Sequence, residues 1–301
     1  LRNQDSDLPP ASGWRITGRL CLVRRLIVNA DDYGLTPGIN RAVAELHAAN
    51  ALSSATLMAT APDGPFAEAV SQAAQMSSLG VGCHVVLVDG IPALPVREIP
   101  SLVSGTEFRP KLGAFVADLL CGRISETDIE KEAVAQIRKL QLAGISVTHV
   151  DTHKHTHMFP RVLRPLVRAA LACGVKAIRN PFEPDWALQA TSRAGRVRKM
   201  QVRLLRSQSA SFAREIRKSG LMTTDGAIGV LATGSLDEPT AEHLLSALPE
   251  GTWELVCHPG YNDADLQRQR TRLRESRDIE RRALLKAVPG AQIKVIHFGQ
   301  L

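Results

Sequence analysis

Eight short runs rich in β-branched residues recur along the chain, most of them separated by stretches with helical patterning. The runs are 22–30 (LVRRLIVNA), 53–61 (SSATLMATA), 80–88 (GVGCHVVLV), 145–153 (ISVTHVDTH), 175–181 (VKAIRNP), 227–234 (AIGVLATG), 252–260 (TWELVCHPG) and 292–299 (QIKVIHFG). Helices are read at 125–144, 160–174, 239–251 and 266–288. The first of these opens on acidic residues and closes on basic ones and a glycine, as the helix dipole and a left-handed C-terminus favour. Alternation of this kind calls for parallel strands joined by crossover helices. Seven or eight strands in 301 residues predict an α/β fold: a distorted or incomplete (β/α) barrel, TIM-barrel-like and mostly parallel. An open doubly wound sheet is the alternative. Residues 21–301 are read as a single domain with a basic helical insertion near 190–220, and residues 1–20 as a flexible N-terminal extension.

Composition narrows the class. Apolar residues make up 44% and aromatics only 4%, so the core must be aliphatic. Five dispersed cysteines with no CxxC pair argue against a disulfide framework and for a reducing, cytoplasmic setting. No apolar run is long enough to cross a bilayer, and the first twenty residues lack the hydrophobic segment of a signal peptide. The net charge of +7 is concentrated in part at 192–218, which holds nine Lys or Arg and one acidic residue, Glu215. That stretch reads either as a solvated helical face or as a peripheral contact with anionic membrane, with Val202, Leu204 and Leu205 as its apolar side. Nucleic-acid binding is excluded on its single aromatic, Phe212, and the lack of a recognition motif.

Polar residues collect at the ends of the strand runs, where barrels of this type carry their chemistry. Asp31 and Asp32 follow the first run, His84 lies within the third, Asp151 and His153 finish the fourth, and His258 finishes the seventh. Two adjacent carboxylates at the end of a buried strand repel each other and resist desolvation, so a positive partner is required. The segment 148–157 (THVDTHKHTH) holds four of the nine histidines. In extended backbone His153, His155 and His157 would share a face; in a helix His153 and His157 would. Imidazole with carboxylate suits zinc and several other divalent ions, which makes a metal ion the expected partner. Cys83 and Cys257 sit beside His84 and His258 and should point to the opposite, helix-covered face. Asp31–Asp32 also begin a stretch with turn chemistry in which Thr36–Pro37 can start a helix. A two-His-one-carboxylate oxygenase is a rival reading of the H-x-D at 149–151, but the strand–helix alternation counts against it.

Four ordered segments, NADDYGLTPGIN (29–40), GCHVVLVDGIP (82–92), HVDTHKHTHMFP (149–160) and VCHPG (256–260), resemble the YdjC-like carbohydrate deacetylases. The stretch from Gly82 looks most similar to the hopanoid-biosynthesis branch of that family, HpnK. The resemblance implies a hydrolase of a linear amide C–N bond that removes the N-acetyl group from an amino sugar. It implies Asp32, His84 and His153 as ligands of one divalent ion, Mg2+ or Zn2+, with Asp31 as catalytic base and His258 as general acid. Asp151, His155 and His157 are then supporting or substrate-binding residues. "DTH" stands where other members have "DGH" or "DSH", which removes no ligand. The implied substrate is an N-acetylglucosaminyl-hopanoid of bacteriohopanetetrol type, met at the inner face of the membrane; a soluble chitooligosaccharide such as diacetylchitobiose is the alternative. A homodimer is compatible with this reading. A non-catalytic sugar- or lipid-binding protein with a structural metal is the reading from a different class.

Overall fold

The computed structural model describes residues 23–191 and 195–301; the expected N-terminal extension (1–20) and the first residues of the basic stretch (192–194) lie outside these described residues. Apart from a short antiparallel pair at Val103–Ser104 and Glu107–Phe108, the strands build one main sheet: β1 (Arg24–Tyr33), β2 (Ser54–Leu57), β3 (Gly80–Val85), β4 (His149–Thr152), β5 (Ala177–Ile178), β6 (Gly226–Ile228), β7 (Gly251–Cys257) and β8 (Lys294–Val295). Their order is β5-β4-β3-β2-β1-β7-β6, all pairs parallel, with the short β8 beside the start of β1 at Arg25 and Leu26. The sheet curls until its edges meet: Ala177 bridges Met222, and the Ala227 N–H donates to the Phe182 carbonyl at 3.3 Å. This is the incompletely closed barrel that the strand–helix alternation predicts. Crossover helices cover it: α1 (Pro37–Ala48), α2 (Asp63–Gln75), α3 (Leu112–Leu120), α4 (Glu126–Leu142), α5 (Pro160–Ala172), α6 (Asp185–Ala190), α7 (Arg196–Leu205), α8 (Ser209–Ser219), α9 (Glu238–Ser246), α10 (Ala264–Gln267) and α11 (Glu275–Ala287).

The two-residue period of β1 separates two environments. Leu26, Val28 and Ala30 join the large aliphatic core with the covering helices, whereas Ile27 packs with Ala177, Ile296 and Phe298 in a small inner cluster. Along that inner face the apolar floor gives way to polar groups. His149 stacks on Phe298 at 3.8 Å between ring centres and meets the Asn29 side chain at 3.2 Å. Asp31 lies one step further toward the strand end.

Several boundaries differ from the sequence reading. β1 runs on through Asp32 to Tyr33, and β4 begins only at His149. The helix expected over 266–288 is two helices, α10 and α11. Between them the Thr271 hydroxyl takes the Leu273 N–H and the Arg274 guanidinium donates to the Gln267 and Gln269 carbonyls, so the helical ladder stops. Thr36 caps α1 as its chemistry predicts, accepting from the Ile39 N–H at 3.2 Å with Pro37 at the first position. The four described cysteines are free, and Cys83 and Cys257 lie in the helix-side core. In the basic insertion, α8 buries Phe212 and Ile216 and Leu205 packs on the core, while Met200 and Leu204 are 65% and 73% exposed. Among the described residues no helix is long and apolar enough to cross a membrane.

Candidate active site

Consecutive side chains on a regular strand point to opposite faces, which would split Asp31 from Asp32. The register between β1 and β2 shifts between Ala30 and Tyr33, and Asp32 takes φ 64°, in the left-handed region that aspartate tolerates better than most residues. Both carboxylates therefore line one cleft of about 1430 Å3 at the strand ends, together with His84, His153, His155 and His258.

Asp32 is the centre of the first cluster. Its Oδ1 lies 3.5 Å from His84 Nε2 and 3.3 Å from His153 Nδ1, and those two nitrogens are 3.3 Å apart. Oδ1 is buried and accepts no hydrogen bond. A buried oxygen with no partner, facing two imidazole nitrogens, fits a divalent cation in both donor chemistry and convergence. A closed structural zinc site takes four protein ligands; this cluster supplies three. His84 Nδ1 is 2.8 Å from Asp151 Oδ1, which fixes the ring with Nε2 toward the cluster. Burial works against a charged His84, but the charge and hydrogen bond of Asp151, with Asp31 and Asp32 behind them, hold its pKa up at about 9. The surroundings thus favour positive charge at this point.

The Asp31 carboxylate is not free in the cleft. Arg179, fully buried at the end of β5, donates from Nη1 to Oδ2 at 2.8 Å and from Nη2 to Oδ1 at 2.6 Å. Asn29 Nδ2 and the Thr56 hydroxyl add bonds to Oδ1 at 3.0 and 3.3 Å. Burial alone would raise the pKa of Asp31; Arg179, with His84 and His258, overrides it and holds the carboxyl far below the usual range. The same guanidinium reaches Asp151 and, through Nε, Glu254 at 2.8 Å. A second convergence of Asp31, His84 and Asp151 is therefore already filled by Arg179. Asp32 has its own cation: Arg277, 1% exposed, donates from Nη2 to Oδ2 at 2.5 Å. The positive charge required by the adjacent aspartates is thus supplied by two buried arginines. This corrects the expectation that an ion alone relieves their repulsion, because each carboxylate has a guanidinium of its own and only Asp32 Oδ1 is left over.

His258 sits across from Asp31, its Nε2 3.8 Å from Oδ2 and its backbone N–H donating to Glu280 at 2.6 Å. The 153–158 turn follows neither the extended nor the helical pattern, since Lys154 and His155 have φ of 58° and 52°. Only His153 reaches Asp32. His157 is buried against the Thr152 hydroxyl at 2.6 Å. His155 lines the cleft, and burial, with Arg179 adding, pushes its pKa down to about 3. Both stay neutral at neutral pH, which suits them poorly to protonating a leaving group. Sequence reasoning missed Arg179, Arg277, Glu254 and Glu280. Arg179 carried a usable signal, a charged residue at the end of an apolar strand run.

Fold and cleft together define an α/β-barrel-like protein with a carboxylate–imidazole cluster at the C-terminal ends of its strands. The chain belongs to the YdjC-like protein family, whose model matches residues 25–293, as the four motifs implied. Among similar proteins are a carbohydrate deacetylase of Mus musculus, 31% identical over 259 residues (79% of this chain, 78% of the relative), and a chitooligosaccharide deacetylase of Serratia marcescens, 30% identical over 243 residues (80% and 83%). A carbohydrate deacetylase of Brevibacillus brevis is 38% identical over 162 residues, a match spanning 54% of this chain and 60% of that protein. The crystal structure of an Enterococcus faecalis V583 protein, described as a candidate cellobiose-phosphate cleavage protein, shares the fold with a TM-score of 0.71 at 23% identity, over 92% of this chain and 98% of that one.

Proposed function

We propose that this chain is a divalent-metal-dependent hydrolase that removes the acetyl group from an N-acetylglucosamine-bearing substrate. The observation that carries this reading is the unpartnered Asp32 Oδ1 facing His84 Nε2 and His153 Nδ1; the deacetylase names of the relatives support it. Asp32, His84 and His153 would hold the ion, which when bound polarises the acetyl carbonyl and acidifies the attacking water. Asp31 takes the proton of that water as the new C–O bond forms. With Arg179 attached it is a weak base, so the proton is passed on, and Oδ2 is 3.8 Å from His258 Nε2. His258 delivers a proton to the amine as the C–N bond breaks, leaving acetate and the free amino sugar. Asp151 orients His84, and Arg179 keeps Asp31 ionised.

The substrate we propose is an N-acetylglucosaminyl-hopanoid, handled by a cytoplasmic enzyme at the inner face of the membrane. Ile91, on the cleft wall, is 62% exposed, and Leu112 and Leu273 line the same cleft; an apolar lip of this kind suits an apolar aglycone. Exposed Met200 and Leu204 on the basic α7 would rest on the lipid surface. A soluble chitooligosaccharide is the second reading, favoured by the Serratia relative's name. Mass spectrometry of N-acetylglucosaminyl-hopanoid and of diacetylchitobiose, each incubated with metal-loaded protein, separates the two. Loss of acetyl from the lipid alone supports the hopanoid; loss from chitobiose alone overturns it. Reaction of neither, with metal bound, overturns the enzyme reading.

A further inference from the structure

Among the described residues, five non-glycine positions have positive φ, and four of them, Asp32, Asp89, Lys154 and His155, line the active-site cleft. Left-handed backbone at a non-glycine residue persists only where surrounding contacts hold it. For Asp32 the holding contact is Arg277. For Asp89 and Lys154 it is each other: Lys154 Nζ donates to Asp89 Oδ2 at 2.7 Å, with the side chains 30% and 15% exposed.

The two partners come from the two strand ends that carry the histidines of the cluster. Asp89 (φ 59°) follows β3, which bears His84, and Lys154 (φ 58°) directly follows His153. The Asp89 side is rigid. Val86, Leu87 and Val88 are fully buried, Gln136 clamps the Val86 backbone from both its N–H and its carbonyl at 2.8 and 2.7 Å, and the Asp89 N–H donates to the Arg109 carbonyl at 2.9 Å. The Lys154 side is a turn of two consecutive left-handed residues that no glycine eases. Released from Asp89, that turn can relax out of the left-handed region, and His153, at its first position and 3.3 Å from Asp32, is the cluster ligand nearest to the change.

We propose that Lys154 and Asp89 form a latch that holds the 153–158 turn in its left-handed conformation and so sets His153 for cation binding. They are positioning residues that need not touch substrate. The inference rests on the metal reading above. The test is isothermal titration of metal-stripped protein with Zn2+ and with Mg2+, together with amide hydrogen exchange of residues 153–158 in the metal-free protein. Lys154→Ala and the isosteric Asp89→Asn should each weaken binding about 10- to 100-fold, the range seen when an outer partner of a metal ligand is lost, and should speed amide exchange in the turn. Lys154→Gly is the discriminating variant. Glycine adopts positive φ at no steric cost, so it should bind more tightly than Lys154→Ala although both lack the ammonium. Wild-type affinity and unchanged exchange in Lys154→Ala and Asp89→Asn overturn the latch, and Lys154→Gly as weak as Lys154→Ala overturns its conformational basis. If the wild type binds neither ion the metal reading fails, and exchange in the turn alone decides the latch: faster in the variants supports it, unchanged refutes it.

Discussion

One guanidinium cannot neutralise three carboxylates, and the group that loses in the cluster around Arg179 is Glu254. It is fully buried, its Oε1 accepts from Arg179, and its Oε2 has no partner. Burial, with Asp31 and Asp151 repelling a further negative charge, outweighs the attraction of Arg179 and holds its pKa at about 7, against an ordinary 4.5. Each unit of pKa is worth about 1.4 kcal/mol, so the full difference is roughly 3 kcal/mol. The sign is that of an acid with a raised folded pKa. Between the two values the folded chain keeps the proton and the unfolded chain has lost it, so stability falls as pH rises. Glu254→Gln keeps the shape and the acceptor to Arg179 but removes the titration. The assay is urea denaturation of both proteins in EDTA at constant ionic strength, where the other titrating groups are common to both. From pH 4.5 to about 8.5 the stability of Glu254→Gln relative to wild type should climb by roughly 3 kcal/mol. A gap that stays flat across that range would refute the assignment of the proton to Glu254.

Asp31→Asn should retain the ion and lose turnover, whereas His153→Ala should lose both; turnover surviving in purified Asp31→Asn sinks the proton-transfer role. Arg277→Met leaves Asp32 Oδ2 buried without its cation and should cost about 3–5 kcal/mol in metal-free unfolding. A loss below about 1 kcal/mol, the scale of an exposed pair, would mean the two charges are not buried together. Ile91→Asp, on an exposed side chain, should change stability by no more than about 0.5 kcal/mol. It should raise KM for a lipid-linked substrate and leave a soluble one unaffected, which comparative steady-state kinetics would reveal.

What could be read from the residues followed from local physics. β-branched runs need a buried pleated surface, the intervening helical patterns force parallel pairing, and polar side chains at run ends have only the barrel mouth to occupy. Asp31, Asp32, His84, His153 and His258 were visible on that ground. The pairing of the aspartates with Arg179 and Arg277 was not, because it spans separations of 148 and 245 residues; Arg179 was marked only by its place at the end of an apolar run, and nothing local marks Arg277 among the chain's many arginines. The turn carrying His153, His155 and His157 escaped for another reason. Its left-handed conformation is imposed by Lys154 meeting Asp89 from another strand end, whereas sequence patterns read extended or helical backbone. The split of 266–288 was hidden as well, since an arginine-rich run carrying Leu266, Leu273, Leu284 and Leu285 passes for an amphipathic helix until its hydrogen bonds are seen.

The placement of β1 governs the order in which the molecule can be made. It is the first described strand to leave the ribosome, yet it lies mid-sheet between β2 and β7, with β8 against its start. Three of the elements that complete its surroundings, β7, α11 and β8, belong to the last part of the chain. Until Arg179 and then Arg277 have been synthesised, the two carboxylates at its end lack the guanidiniums that face them in the folded chain, and burying a charge without its partner carries a penalty of several kcal/mol. Burial of β1 with these pairs made therefore depends on contacts of long sequence separation, the kind associated with slow folding. The two charges at the end of β1 thus tie a central strand to arginines 148 and 245 residues further along the chain.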